Sequence, residues 1–228
     1  MNIKIPPDVS ATNRSLNVTG SVASSIITHA GKRRSPFLRV HVASLTKDEC
    51  VLNLTSLVAH GTSIKYLVAG GLYASAAALL RVQYETLVRA LWVLYVASED
   101  QAELMASDLT EESAKRGNKI PMLSTMLDDI EIKAPHAPVE LLKQFRINSW
   151  KPLSSFVHGG IHAVNRHGHG FPQDLVEEMV RLSNGLLGIA GNIVLILAGT
   201  PAETGQLAKI YAEFSDCLPS VKPQAIPS

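Results

Sequence analysis

Three charged residues lie four positions apart inside an almost uniformly apolar stretch from Leu67 to Ala97. Arg81, Glu85 and Arg89 occupy successive i, i+4 positions, which places them in one row along a helix. Their neighbours are aliphatic or aromatic, so this helix has no polar face for water and is predicted to be buried. Desolvating an unpaired ion is costly, and the row carries one positive charge in excess. The surplus charge indicates a site for an anionic partner.

The composition favours a single all-helical domain. The chain has 228 residues, enough to bury a substantial core, and it is 46% hydrophobic but only 5% aromatic. Its net charge of +1 argues against a broad nucleic-acid surface, although it permits a local basic pocket. Cys50 and Cys217 belong to no metal or disulfide pattern, so we expect reduced thiols in a cytoplasmic protein.

A membrane-spanning segment is not expected, despite a mean hydropathy of +0.14. The apolar run from Leu186 to Gly199 contains Asn192 and falls short of the roughly 20 residues needed to span. The other long apolar run leads directly into Arg81. No continuous apolar segment follows a basic start, so no signal peptide is predicted.

The positions of proline, glycine and polar residues that break the apolar pattern predict three regions. They are an irregular N-terminal segment (1–44), a helical bundle (45–218) and a C-terminal tail (219–228). Apolar periodicity and capping residues predict the helices within the bundle. Their approximate bounds are 46–68, 107–117, 120–133, 138–145, 152–163 and 172–198. A further long helix carries Arg81 and ends near residue 105, and Thr200 caps the last helix. No alternating strand pattern stands out, so the predicted fold is an all-α, up-and-down bundle.

A second polar cluster follows Trp150. A helix that begins at Pro152 would stack three side chains at i, i+4 spacing: Ser154, His158 and His162. Lys151 and Ser155 flank this row.

Two consecutive glycines, Gly159-Gly160, interrupt this segment at a cost of about 1 kcal/mol each within a helix. They predict close approach of another backbone or of a ligand. A polar loop from Asn165 to Gly170, which includes Arg166, is predicted to follow. Four of the eight histidines fall within residues 158–169, the densest concentration of groups suited to proton transfer near neutral pH.

The two segments resemble motifs of uncharacterised bacterial helical families that are loosely related to the HEPN superfamily. Residues 80–92 are similar to their R-x-x-x-E helix, and residues 153–159 to their S-x-x-V-H-G element. The resemblance covers about residues 46–199 and implies a helical bundle, commonly dimeric. Many HEPN proteins are metal-independent endoribonucleases of toxin-antitoxin or phage-defence systems, and others are not catalytic.

The usual HEPN signature places an Arg shortly before a His on one helix. The literal match here, Arg34 to His41, is interrupted by Pro36, and we treat it as chance. The Arg and the His of a HEPN-like site would therefore come from different helices of this chain.

The resemblance implies a chemistry that needs no cofactor or metal. Cleavage of RNA requires a base for the ribose 2′-hydroxyl, an acid for the leaving oxygen and cations for the phosphorane. His158 is the expected acid-base group, Arg81 binds the phosphate, and Glu85 orients Arg81 or tunes the histidine. His162 is the expected second proton shuttle. The dependence on the 2′-hydroxyl predicts cleavage of RNA and not DNA. Six further residues are expected to bind the ligand: Arg89, Lys151, Ser154, Ser155, Asn165 and Arg166.

Other interpretations of the same residues stay open. The Arg-Glu-Arg row can be a structural ion-pair network, and His162, His167 and His169 can form a zinc or nickel site. The chain can be a non-catalytic module that binds a nucleotide or another anion. It can also be a structural protein whose helix over 175–198 forms a dimer seam. The partners expected are thus RNA or a nucleotide, a second copy of the chain, and an antitoxin.

Overall fold

The computed structural model describes residues 44–108, 110–117, 119–134, 138–198, 209 and 211–219. These residues form an all-α bundle without strands, which confirms the predicted fold class. The predicted irregular segment, except Ser44, and the helix capped by Thr200 lie outside the described residues. The helices are α1 (Ser44–Ala69), α2 (Tyr73–Tyr95), α3 (Glu99–Ala106), α4 (Glu111–Gly117), α5 (Leu123–Lys133), α6 (Val139–Val157), α7 (Ile161–His169) and α8 (Gln173–Leu197), followed by a 3-10 turn (Ser215–Cys217).

Helix α2, which carries Arg81, is the centre of the bundle. It packs against α1, α5, α6 and α8. Its largest fully buried side chains include Leu80, Tyr84, Leu87 and Trp92. Burying each large apolar side chain stabilises the fold by about 1.5–3 kcal/mol. The predicted burial of this helix is confirmed, and it fixes the position of the charged row that the helix carries.

A glycine turn reverses the chain between α1 and α2. Gly71 has a φ of 73°, in the left-handed region that glycine adopts without strain. The Leu72 N–H donates to the Leu67 carbonyl at 2.8 Å, and the Gly71 N–H donates to the Val68 carbonyl at 3.0 Å. These two bonds form a Schellman motif, which ends α1 and starts α2 in the opposite direction.

The prediction of one helix from Arg81 to about residue 105 is wrong. Helix α2 ends at Tyr95, and Ser98 begins α3 with a capping box. The Ser98 hydroxyl accepts from the Gln101 N–H, while the Gln101 side chain accepts from the Ser98 N–H. These reciprocal bonds satisfy amides that a continuous helix would bond internally, so the chain starts a new helix.

The prediction of a helix that begins at Pro152 is also wrong. Pro152 lies inside α6, on its exposed side, where water can bond the carbonyl that is left without a donor because proline has no backbone N–H. Helix α6 ends at Val157 and a separate helix, α7, runs from Ile161 to His169. The predicted polar loop from Asn165 is therefore helical.

Helix α8 is long and apolar enough to cross a membrane by length and composition alone. Half of its most apolar window is buried within the chain, and it packs against α1 and α2, the pattern of a core helix.

Glycines of α8 let the C-terminal segment approach this helix, since a Cβ at Gly188 would lie 2.5 Å from the Tyr211 hydroxyl and one at Gly185 would lie 2.7 Å from Pro219. This glycine-containing face of the predicted dimer seam is therefore covered by the chain itself.

Candidate functional site

A stack of aromatic rings sets the register between α2 and α6. The Tyr84 ring lies parallel to Phe145 with centroids 4.3 Å apart, and edge-on to Trp150 at 6.0 Å. The Tyr84 hydroxyl donates to the Leu142 carbonyl at 2.9 Å. Burial raises the pKa of Tyr84, and the positive charge of Arg146 opposes this rise. The stack fixes which residues of the two helices face each other at their outer edge.

Arg81 is held at that edge by two neighbours. Its Nε donates to Glu85 Oε1 at 2.9 Å, one turn along α2. Its guanidinium carbon lies 4.1 Å from the centroid of the Trp150 ring, within the range of a cation–π contact. Only 14% of the Arg81 side chain is exposed, compared with 26% for Glu85. The guanidinium is thus fixed in orientation before any ligand arrives.

The fourth member of the cluster is His158, from the end of α6. Arg81 Nη1 and His158 Nε2 are 3.5 Å apart, although the two residues are 77 positions apart in sequence. A guanidinium can only donate, so this long contact is a hydrogen bond only in the His158 tautomer that has its lone pair on Nε2 and its proton on Nδ1. His158 itself is exposed. We call Arg81, Glu85, Trp150 and His158 the Arg–His cluster.

The glycine pair after His158 ends α6 and presents the histidine at the helix terminus. Gly159 has a φ of 64°, and the Gly160 N–H donates to the Ser155 carbonyl at 2.7 Å, as in a Schellman motif. A Cβ at Gly160 would lie 2.6 Å from Ser155 Oγ. The close approach predicted for this pair is therefore made by the chain's own Ser155.

The expected stack of Ser154, His158 and His162 does not form, because the helix breaks between the two histidines. The Ser154 hydroxyl donates to the Trp150 carbonyl of its own helix at 2.6 Å. Ser155 Oγ accepts from the His162 N–H at 2.9 Å, which caps the start of α7. The ring of His162 is exposed and makes no hydrogen bond with the described residues.

The Arg-Glu-Arg row also divides. Glu85 pairs with Arg81, whereas half-buried Arg89 has no ion pair or hydrogen bond among the described residues. The row is therefore not a self-contained ion-pair network.

Three other residues predicted to bind the ligand lie on α6 and α7. Lys151 of α6 and Asn165 of α7 are exposed, and Arg166 of α7 is half-buried.

The described residues contain no group of three His, Cys, Asp or Glu side chains close enough to hold a metal ion. The interpretation of His162, His167 and His169 as a metal site is therefore wrong. One of these rings is engaged locally, since His169 Nδ1 lies 3.0 Å from the Asn165 carbonyl.

Sequence reasoning missed the role of Trp150. It lies four residues before Ser154 and eight before His158, so the three share one side of α6. That spacing was a usable signal. Its contact with Arg81 depends on the register between two helices, which no local pattern contains.

The fold and the cluster define an all-α bundle with a preorganised arginine beside a surface histidine. The chain belongs to a family of unknown function, DUF6988, whose profile matches residues 55–220. All four residues of the Arg–His cluster fall within the matched range. No curated protein and no solved structure matches the chain, and the HEPN relationship stays a prediction.

Proposed function

We propose that this protein is a metal-independent endoribonuclease that acts at the Arg–His cluster. The observation that supports the proposal is the Arg81–His158 contact, which joins a cation and a proton-transfer group from different helices at an accessible edge. A fixed guanidinium suits the phosphate of an RNA strand. A histidine nitrogen, once released from Arg81, suits removal of a proton from a hydroxyl.

The reaction begins when a scissile phosphate displaces Arg81 Nη1 from His158 Nε2. The freed Nε2 takes the proton of the ribose 2′-hydroxyl, and the 2′-oxygen forms a bond to phosphorus. The bond from phosphorus to the 5′-oxygen breaks, and that oxygen receives a proton, for which His162, exposed at the start of α7, is the proposed donor. Arg81 donates to the phosphorane oxygens where negative charge increases. The products are a 2′,3′-cyclic phosphate and a 5′-hydroxyl.

Arg81 retains donors for this task. Its Nε is used by Glu85, and its Nη2 has no hydrogen-bond partner among the described residues. Trp150 covers one face of the guanidinium, so ligands can approach only from the remaining directions. This arrangement limits reorganisation at the moment of reaction, which is the main source of electrostatic catalysis.

The experiment compares an RNA oligonucleotide with DNA of the same sequence, both in excess chelator. We expect cleavage of the RNA, with the two product ends named above, and no cleavage of the DNA. Cleavage that stops on chelation, or that proceeds equally on DNA, would contradict the mechanism.

The second candidate function is non-catalytic binding of a phosphate-containing ligand such as a nucleotide. One observation favours it: the His158 atom that must accept a proton already faces a cation. In this case a nucleotide at a concentration one hundred times its Kd stabilises the folded wild type by about 2.7 kcal/mol and raises its melting temperature. No RNA is cleaved, and Arg81→Ala abolishes the shift.

The cellular role belongs to the same proposal. We place the nuclease in the cytoplasm, as a toxin or phage-defence effector that forms a homodimer and is restrained by an antitoxin. Light scattering tests the dimer. Induction of the wild type and of His158→Ala in a bacterial host tests toxicity, which should require His158.

A further inference from the structure

Helices α6 and α7, which precede and follow His158, carry half-buried Arg146, exposed Lys151 and half-buried Arg166. We propose that this α6–α7 ridge, defined by Arg146, Lys151, Arg166, Ile161 and Val164, binds single-stranded RNA and guides it to the cluster. The inference rests on the proposed function and specifies its substrate as an unpaired strand.

The charge distribution is the first support. Residues 141–173 contain four of the chain's 21 Lys and Arg residues and none of its 20 Asp and Glu residues. The rest of the chain therefore carries 17 basic and 20 acidic residues. The net charge of +1 conceals a basic segment of +4 within an acidic remainder. A net charge of +1 is therefore compatible with a local basic surface on these residues.

The ion pairs are the second support. Lys143 binds Glu131 of α5, but Arg146, Lys151 and Arg166 have no ion pair with any described residue. Elsewhere in the described chain, cations such as Lys115 and Arg181 pair with a glutamate one turn away. A strand of phosphates can neutralise the ridge without first displacing an internal carboxylate.

The path of the ridge leads to the cluster. Arg146 and His158 lie twelve residues apart with Trp150 and Ser154 between them at i, i+4 steps, which spans about 18 Å of α6. Helix α7 follows for nine residues, about 13 Å. A strand laid along both helices passes His158 at the junction.

Exposed aliphatic residues favour an unpaired strand over a duplex. Ile161 is 80% exposed and Val164 is 67% exposed, at i, i+3 positions on α7. Val157, at the end of α6, is 41% exposed. The backbone of a duplex offers only sugar and phosphate to such side chains, whereas unpaired bases offer apolar faces.

Fluorescence anisotropy with a 2′-O-methyl oligoribonucleotide measures binding without cleavage. We expect Lys151→Glu with Arg166→Glu to weaken binding at least about tenfold. The slope of log K against log salt should fall by about 0.7 for each phosphate that the variant no longer neutralises. The control is Arg116→Glu with Lys119→Glu, two exposed cations outside the ridge with the same change in charge. It should change binding less than about twofold.

A variant without charge changes tests strand preference. Ile161→Ser with Val164→Ser should weaken binding of the single strand and leave binding of a duplex of the same length unchanged. Equal decreases in affinity for the ridge and control variants, or tighter binding of the duplex, would overturn the inference. Displacement of RNA by an acidic polypeptide at equal charge concentration would reassign the ridge to an acidic protein partner.

The result that refutes RNA binding by the ridge differs from the result that refutes the nuclease activity. Cleavage that depends on His158 but not on Lys151 and Arg166 would refute only the role of the ridge. Ridge-dependent binding of RNA without any cleavage would refute only the nuclease activity.

Discussion

The Arg81 guanidinium lies over the Trp150 ring, 4.1 Å from its centroid, in a contact between the central helix and the helix that His158 caps. The ring covers one face of the guanidinium, and only 14% of the Arg81 side chain is exposed. Glu85 fixes the remaining rotation through Nε. The arginine is therefore aimed at His158 by the protein and needs no ligand to hold it.

Arg81→Lys should lower the free energy of unfolding by about 1 kcal/mol and reduce RNA cleavage strongly, because lysine cannot combine the stacked and hydrogen-bonded geometry. Arg181→Lys is the matched control, since Arg181 also pairs with a glutamate one turn away, at 3.2 Å, but stacks on no ring among the described residues. It should cost less than about 0.5 kcal/mol. Urea unfolding of both variants measures the difference, and equal decreases in stability would exclude a contribution from Trp150.

Gly159→Ala and Gly168→Ala should change stability in opposite directions. Gly159 has a φ of 64°, so alanine there is strained by about 1–2 kcal/mol. Gly168 lies within α7, and an added Cβ meets nothing within 4 Å, so alanine there should stabilise by about 0.5–1 kcal/mol. Thermal unfolding monitored by circular dichroism compares the two, and stabilisation by Gly159→Ala would contradict the turn geometry.

Gln83→Met should leave stability unchanged or raise it by up to about 1 kcal/mol. Gln83 is fully buried, its Nε2 makes a long bond of 3.4 Å to the Ser183 carbonyl, and its Oε1 has no partner among the described residues. Removing an unsatisfied buried oxygen relieves its desolvation penalty. Chemical denaturation measures the change. A decrease above about 1 kcal/mol would show that the amide has a stabilising partner, such as a buried water.

The two thiols should resist modification in the native protein. Cys50 and Cys217 are buried, and burial raises the pKa of Cys50 to about 12. The reactive thiolate is therefore scarce at pH 8. A colorimetric disulfide reagent should titrate neither thiol before unfolding and both in denaturant. Rapid reaction of the native protein at pH 8 would contradict this burial.

The sequence predicted the fold class and the buried central helix because apolar periodicity is a local property. It also identified Arg81, Glu85 and His158, since charges inside an apolar run and a histidine before two glycines are unusual wherever they occur. The structure brings these three together.

The details that failed depend on contacts beyond a single helix. Spacing of i, i+4 stacks His162 on His158 only if the helix continues, and the bonds around Gly159 end it instead. Gly after a helical residue is itself a stop signal, so His158 could have been recognised as the residue that caps the end of α6. The pairing of Arg81 with Trp150 depends on the register between two helices.

The most direct test of the account is single-turnover cleavage of RNA in chelator by wild type, His158→Ala and His167→Ala, with folding checked by circular dichroism. The account predicts a rate decrease of about 100- to 10,000-fold for His158→Ala. His167→Ala, an exposed histidine of α7 outside the cluster, should cleave at the wild-type rate. Cleavage by folded His158→Ala at the wild-type rate would contradict the account.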